Sequence, residues 1–378
     1  MTAERPALER RVLAALDASP SRVPVLLGGC GSGRTTTVLR VRDAIGRGQC
    51  QYVDVERVAT TPERLLRALL DTSPFPAAPY GPRPVGEASP RDALDATLAM
   101  LNTSRAPGGG AATFFIDEAL EFRTFESFPG LRTVMRDFID AISASPNRFV
   151  LTTRYVARAH RLLRDAPAHF EVIHVPPLSV AETGAALEHA GAPADDGELA
   201  RSVQVLADGR PAYVAALAEA LATTARRGPT DAISALAGLL APGGQLWAAC
   251  RFSYELRLHR ARGYGALKAI LDVLAAEEPL TLTEVATRLR RTPGSTKDYL
   301  SWLEDVDLVA ARQKRYSYTD PLLRLWVRLH CRPAPPGDEE LAREVQSYAL
   351  ARLPQAEPAL AVAAGAEDRK NWGIIEID

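Results

Sequence analysis

The stretch Gly28-Gly29-Cys30-Gly31-Ser32-Gly33-Arg34-Thr35-Thr36 constrains this chain more than any other. It follows an apolar run, Val23-Pro24-Val25-Leu26-Leu27, and passes into helical spacing from Thr35. That is the strand–turn–helix setting of a phosphate-binding loop. Glycines let the backbone bend around a polyphosphate, the amide N–H groups point inward, and the helix start adds partial positive charge. The pattern G-x-x-x-x-G-K-[ST] is met by Gly28, Gly33 and Thr35, but Arg34 stands in the lysine position. All nine residues from Gly28 to Thr36 (Gly29, Cys30, Gly31, Ser32 and Arg34 among them) are therefore candidate nucleotide ligands, with the Thr35 hydroxyl placed to hold Mg²⁺.

Lysine is a compact point charge, whereas arginine is a longer planar fork. One reading makes Arg34 a tolerated cation in a site that binds nucleotide and hydrolyses it slowly. Another makes the site catalytically dead, and a third makes the loop a glycine-rich turn that binds nothing. Composition bears on the choice. Lysine occurs only at 268, 297, 314 and 370 among 45 basic residues, so the first 267 residues contain none. This favours drift in a GC-rich coding sequence over inactivation.

A second element joins the loop. Thr113-Phe114-Phe115-Ile116 is an apolar run ending in Asp117-Glu118. Asp117 at a strand end would orient the water shell of Mg²⁺. Glu118 would act as general base, a role worth about 10²–10⁴ in rate. Arg148 to Arg154 reads as another strand, where Thr153 would sense the γ-phosphate and Arg154 report it, because ligands of open α/β sheets bind at strand C-terminal ends. With further apolar runs at Gln51–Val55 and Val172–Val175, these strands predict an α/β fold with a parallel five-stranded sheet covered on both faces. The loop Cys30 lies near a helix start, where thiolates are stabilised, so a redox switch is conceivable, but a small loop filler is the favoured reading.

The expected organisation is an α/β core over 1–177, a helical lid over 178–240 and a connecting helix within 241–263. A winged helix-turn-helix over 264–332 and a C-terminal helix and tail over 333–378 follow. Six prolines mark 73–90 as an irregular insertion. In the third unit, a helix over 265–276 precedes a capped helix from Thr283, a Pro293-Gly294 turn and a helix from Ser295. Ser295 and Asp298 there are spaced as a capping box. Two short strands, Leu308–Ala311 and Tyr316–Thr319, flank Arg312-Gln313-Lys314-Arg315 as a basic wing. Residues 281–330 hold nine basic and six acidic side chains. Arg291, Lys297, Arg312, Lys314 and Arg315 are the candidate DNA contacts. Lys297 is the only cation on the would-be recognition helix, which argues against sequence-specific readout. The alternative is a wedge that packs on the core or on a protein partner.

Composition sets outer limits. The 378 residues carry a formal net charge of −1, so nucleic acid could be held only by a local patch. No apolar run reaches the length of a membrane span, and the N-terminus lacks a signal-peptide layout. Cys30, Cys50, Cys250 and Cys331 have no paired or metal-type spacing, which suits a cytoplasmic protein.

The succession resembles the AAA+-related signal-transduction (STAND) ATPases, and among them the archaeal-type ATPases with a core like that of origin-recognition initiators. The carriers are the loop at 28–35, Phe114–Glu118, Leu151-Thr152-Thr153-Arg154, Pro177-Leu178-Ser179, Asp208-Gly209-Arg210-Pro211 and the stretch from Arg315 to Trp326. The resemblance implies that Pro211 packs near the adenine and Arg210 lies close to the phosphates. It implies an ATP- or ADP-binding switch that couples nucleotide state to a DNA-binding winged helix. The alternatives are a signalling or scaffold NTPase, or a pseudo-ATPase, whose winged helix contacts a protein partner or a second copy. A nuclease-like C-terminal domain is not expected.

Overall fold

The computed structural model describes residues 4–76, 89–164, 166, 170–192, 197–226, 231–261 and 263–353. Most of the expected insertion at 73–90 and the whole tail after 353 lie outside these residues. Strands β1 (Val23–Leu27), β2 (Cys50–Asp54), β3 (Thr113–Asp117), β4 (Arg148–Thr153) and β5 (Phe170–His174) pair in parallel in the order β2-β3-β4-β1-β5. Around and between them run α1 (Pro6–Leu16), α2 (Arg34–Ile45), α3 (Val55–Val58), α4 (Pro62–Thr72), α5 (Pro90–Thr103), α6 (Val134–Ala144) and α7 (Val156–Leu163). A 3-10 helix, Ala119–Ser127, leads away from β3.

Side chains alternate along each strand, and both faces of the sheet are covered. Leu26, Phe115, Val150 and Ile173 face α1 and α2, packing on Leu8, Val12, Val38 and Val41. Leu27, Phe114, Ile116, Phe149 and Leu151 face the other way, onto the 3-10 helix and α6. Phe114 stacks on Phe149 with centroids 5.6 Å apart. Every residue of β3 is buried, so its Asp117 is held at the sheet edge with little freedom.

The chain then turns helical: α8 (Val180–Ala190), α9 (Glu198–Leu206), α10 (Pro211–Ala225), α11 (Ala232–Leu240) and α12 (Gln245–Arg260). Asp208 and Gly209, both at positive φ, close α9, and Pro211 opens α10 at its first turn. The remaining elements are α13 (Tyr264–Ala276), β6 (Leu280–Thr281), α14 (Leu282–Arg288), α15 (Pro293–Asp305), β7 (Val309–Arg312), β8 (Arg315–Tyr318), α16 (Pro321–His330) and α17 (Asp338–Leu350). β8 pairs antiparallel with both β6 and β7. α17 lies against the earlier helices, where the Tyr348 hydroxyl donates to Leu206 O at 3.0 Å.

Three local expectations are corrected. α14 begins at Leu282, not Thr283, because Thr281 and Glu284 form the reciprocal capping box. α15 begins at Pro293 under a Thr292 cap, so Pro293 and Gly294 are its first turn rather than a loop. Proline has no N–H to lose there and its φ is already helical. The spacing of Ser295 and Asp298 therefore makes no cap. The basic quartet 312–315 is not a four-residue loop: Arg312 and Arg315 pair across the strands, and only Gln313 and Lys314 turn. Among the described residues no single helix is long and apolar enough to cross a membrane.

Candidate functional site: a phosphate loop under two converging units

The loop leaves β1 between β4 and β5, with Gly28 N donating to Thr153 O at 3.4 Å. Gly31 and Gly33 take φ of +77° and +87°, and Gly33 is the N-cap of α2. A Cβ on Gly31 would stand 3.0 Å from the Ala212 methyl, and one on Gly33 3.3 Å from Pro211 Cγ. The glycines are thus needed both for the bend and for the close approach of α10. Arg210 and Pro211, expected beside a nucleotide, do meet the loop: Arg210 Nη1 donates to Cys30 O at 3.0 Å. Gly28, Gly29, Ser32, Pro177, Gly209 and Pro211 line a cleft at this junction.

Thr35 and Asp117, the expected metal pair, are brought together across 82 residues: Thr35 Oγ1 donates to Asp117 Oδ2 at 2.7 Å. Tyr52 Oη donates to the same oxygen at 2.8 Å, and Thr152 donates to Oδ1. These partners fix the carboxylate plane. Thr36 is half-buried on the first turn of α2.

Glu118 is at φ +53°, its N–H donating to Thr152 Oγ1 at 3.1 Å. Its buried carboxylate is gripped by Arg34 Nη2 at 2.8 Å and Arg154 Nε at 3.1 Å. Burial pushes the Glu118 pKa up, but Arg34 and Arg154 outweigh burial and leave it below the usual glutamate value. Arg34 thus spends its charge on the acid expected to be the general base. Arg34 Nε and Nη1 and the Ser32 hydroxyl are buried without a hydrogen-bond partner among the described residues. Buried donors of this kind need an acceptor, and an oxyanion at the loop would supply one.

Thr153 is buried, its Oγ1 accepting from Tyr155 N at 3.2 Å. Arg154 also binds Glu56, and its pKa is raised: burial lowers it, but Glu118 and the other anionic partners prevail. Arg260 of α12 continues the network to Glu121, to Glu56 at 3.1 Å and to Tyr155 Oη at 2.9 Å.

The third unit reaches the same place. Arg210 Nη2 donates to Thr319 O at 2.7 Å, and Arg210 pairs with Asp320 at 3.4 Å. Asp320 caps α16 and accepts from Tyr213 Oη at 2.7 Å. Arg257 of α12 donates to Asp307 O at 2.6 Å. The Asp307 carboxylate lies against Gly29, 3.2 Å from where a Cβ would be. Burial pushes its pKa up to about 6, and Arg257, Arg210 and Arg34 only partly offset this. Asp305 pairs with Arg158 at 3.5 Å and with Arg161. The acidic end of α15 therefore faces the sheet domain. The expected DNA contacts Arg291, Lys297, Arg312, Lys314 and Arg315 are all exposed. Arg315 is the most committed, 3.6 Å from Glu284 and donating to Pro279 O at 3.0 Å.

Sequence reasoning missed Tyr52, Glu56, Thr152, Arg257, Arg260, Asp307 and Asp320. Asp307 had a signal, a lone acid inside Val306-Asp307-Leu308-Val309, and Arg257 and Arg260 sit one turn apart on one helix.

No family model matches this sequence, and no curated protein does. Among solved structures, the Walker-type ATPase PABY2304 of Pyrococcus abyssi is similar over 86% of this chain and 95% of its own, with 17% identity and a TM-score of 0.64. Looser similarity extends to the Aeropyrum pernix ORC1 protein in complex with DNA (17% identity, 91% and 94% of the two chains, TM-score 0.45). Cdc6p from Pyrobaculum aerophilum is at 12% identity, 93% and 95% coverage and a TM-score of 0.42. The first likeness establishes the fold: the chain has the α/β architecture of a Walker-type P-loop ATPase.

Proposed function

We propose that the chain is an ATP-operated switch of the AAA+/STAND kind, whose nucleotide site controls a winged helix formed by 264–332. The observation that carries this reading is the Thr35–Asp117 contact of 2.7 Å at the mouth of a glycine bend lined with unpartnered cationic donors. A hydroxyl and a carboxylate are hard oxygen ligands of the type Mg²⁺ takes alongside phosphate oxygens and water. Thr35 and Asp117 would hold that ion, which would neutralise charge on the β- and γ-phosphates. The loop N–H groups, Arg34 and Arg210 would bind the phosphates, and Pro211 would flank the base. Thr153 and Arg154 lie where a terminal phosphate would be read. For Glu118 to activate water, Arg34 must leave its carboxylate for the phosphate, which makes turnover slow.

The Arg34–Glu118 pair also favours a second reading, a pseudo-ATPase that binds without hydrolysis. The wing and the start of α15 carry exposed cations, which supports duplex DNA as the partner; the docked acidic end of α15 is equally compatible with a protein-facing wedge.

One experiment separates these outcomes: ATP affinity with and without Mg²⁺, beside phosphate release, for the wild type, Asp117→Asn and Arg34→Lys. The switch reading expects Mg²⁺-dependent binding weakened at least about tenfold by Asp117→Asn, and release that rises in Arg34→Lys. Binding without release in the wild type and in Arg34→Lys alike selects the pseudo-ATPase. No uptake of ATP or ADP at any Mg²⁺ concentration overturns the reading.

A further inference from the structure

Helix α15 ends on a carboxylate at the phosphate loop. Asp307 N donates to Glu304 O at 3.1 Å and Leu308 N to Leu303 O at 3.0 Å, the paired bonds that close a helix through one left-handed residue. Asp307 is that residue, at φ +56°, where Gly or Asn is the usual choice. Arg257 Nη1 and Thr319 Oγ1 both donate to its carbonyl at 2.6 Å and fix the turn. Asp307 is 8% exposed, and its Oδ2 lies 3.2 Å from the Cβ position of Gly29. Arg210 Nη1 is 3.0 Å from that same point. Among the described residues the carboxylate accepts no hydrogen bond and closes no ion pair; Arg257, Arg210 and Arg34 act on it only across space.

We propose that Asp307 is a built-in stand-in for phosphate: the docked third unit sets this carboxylate beside the loop, and that docking and a polyphosphate in the loop exclude each other. The inference rests on the reading above only in taking the loop as the phosphate site. Like charges side by side repel strongly where water is excluded. The cations that face the acid are also the ones an entering phosphate would draw on: Arg34 from α2, Arg210 from the turn before α10 and Arg257 from α12. A polyphosphate brings several charges against a single carboxylate, so it takes them. Arg210 also holds Thr319 O at 2.7 Å and Asp320 at 3.4 Å. Its move to the phosphate loosens the third unit at two further points, and Asp307 leaves the loop with that unit.

The neighbouring acids behave differently. Asp305 pairs with Arg158 at 3.5 Å and with Arg161, and Asp320 accepts from Tyr213 Oη at 2.7 Å. Of these three acids Asp307 alone has no direct partner for its carboxylate among the described residues. Electrostatics agree with a contact poised to release. Burial raises the Asp307 pKa to about 6 in spite of the three arginines, so near neutral pH an ionised acid sits where the ionised form is disfavoured.

The test is calorimetric titration of the full chain with ATP and with inorganic tripolyphosphate, in Mg²⁺ at pH 7.5, for the wild type, Asp307→Gly, Asp307→Asn and Asp298→Asn. Gly and Asn both suit the left-handed position, so the helix end keeps its shape. Both anions should bind Asp307→Gly at least about tenfold more tightly than the wild type, and Asp307→Asn should shift the same way. Asp298→Asn, the same charge change at an exposed site earlier on α15, should match the wild type. Hydrogen exchange in the wild type should slow at 28–33 and speed up at 303–309 when MgATP is added. Tighter tripolyphosphate without ATP binding upholds the stand-in and counts against the nucleotide reading, and uptake of either anion by the Asp307 variants alone also upholds it. Equal or weaker binding by both Asp307 variants overturns the proposal and leaves the nucleotide reading intact. Uptake of neither anion by any of the proteins overturns both.

Discussion

Gly209 holds φ +59°, and a Cβ placed on it would lie 2.6 Å from the Pro177 Cβ and 3.0 Å from Leu178 O. Leu178 N in turn donates to Gly209 O at 2.7 Å, so the exit from β5 and the entry to α10 are joined at this residue. Gly209→Ala must strain the backbone and displace Pro177, at a cost of about 2–4 kcal/mol. Gly294, in the first turn of α15 with open space around it, is the internal control: Gly294→Ala should be neutral or stabilise by up to about 1 kcal/mol. Thermal unfolding of the two variants reads the contrast, and equal melting temperatures would remove the packing argument. The same scale explains why Asp117 and Glu118, adjacent in sequence, differ in role. Asp117 ends a strand and accepts from three hydroxyls, whereas Glu118 turns to positive φ and is held by two guanidiniums.

The hairpin of β7 and β8 turns through Gln313 and Lys314 at φ of +51° and +63°. Asn-Gly is the usual choice for such a turn, because other side chains cost roughly 1–2 kcal/mol each in that region. Local preference therefore does not account for Lys314 at this turn. Arg312 and Lys314 are exposed, while Arg315 is partly engaged by Glu284. Charge reversal of Arg312 and Lys314 should therefore weaken duplex DNA binding and flatten its dependence on log salt by roughly 0.9 per lost phosphate contact. Fluorescence anisotropy across a salt series measures this; a slope unchanged by reversal leaves the wing without a nucleic-acid role.

At the scale of the whole molecule, separate stretches converge on one loop: Arg210 bonds the Cys30 carbonyl, Asp307 lies against Gly29, and Asp320 and Arg257 hold those two residues in turn. Titration of Asp307 gives this junction a pH signature. Burial raises its carboxyl to about 6, above the usual aspartate range, so between those values the folded protein keeps a proton that the unfolded chain has released. The stability this group contributes is present at low pH and is lost as pH rises from about 4 through 6, on the order of 2–3 kcal/mol. Asp307→Asn should remove that part of the slope and leave the protein more stable than wild type at pH 7.5. Urea unfolding of both proteins at pH 5 and pH 7.5 checks it, and parallel pH dependences would count against a buried Asp307 at the loop.

The glycine bend, the five apolar runs and the acids after Ile116 were legible in the sequence because each is a local pattern, with glycine placement and period-two or period-3.6 burial dictating backbone shape. Element starts were less legible where two caps compete, as Thr281 against Thr283 and Thr292 against Ser295, since one residue's hydrogen bond decides between them. Tertiary structure alone decided who meets whom. Tyr52 reaches Asp117 only because β2 pairs beside β3, and Arg210 reaches Thr319 across 109 residues only because the third unit folds back on the loop. Such partners depend on the packing of elements remote in sequence, and no local spacing encodes it.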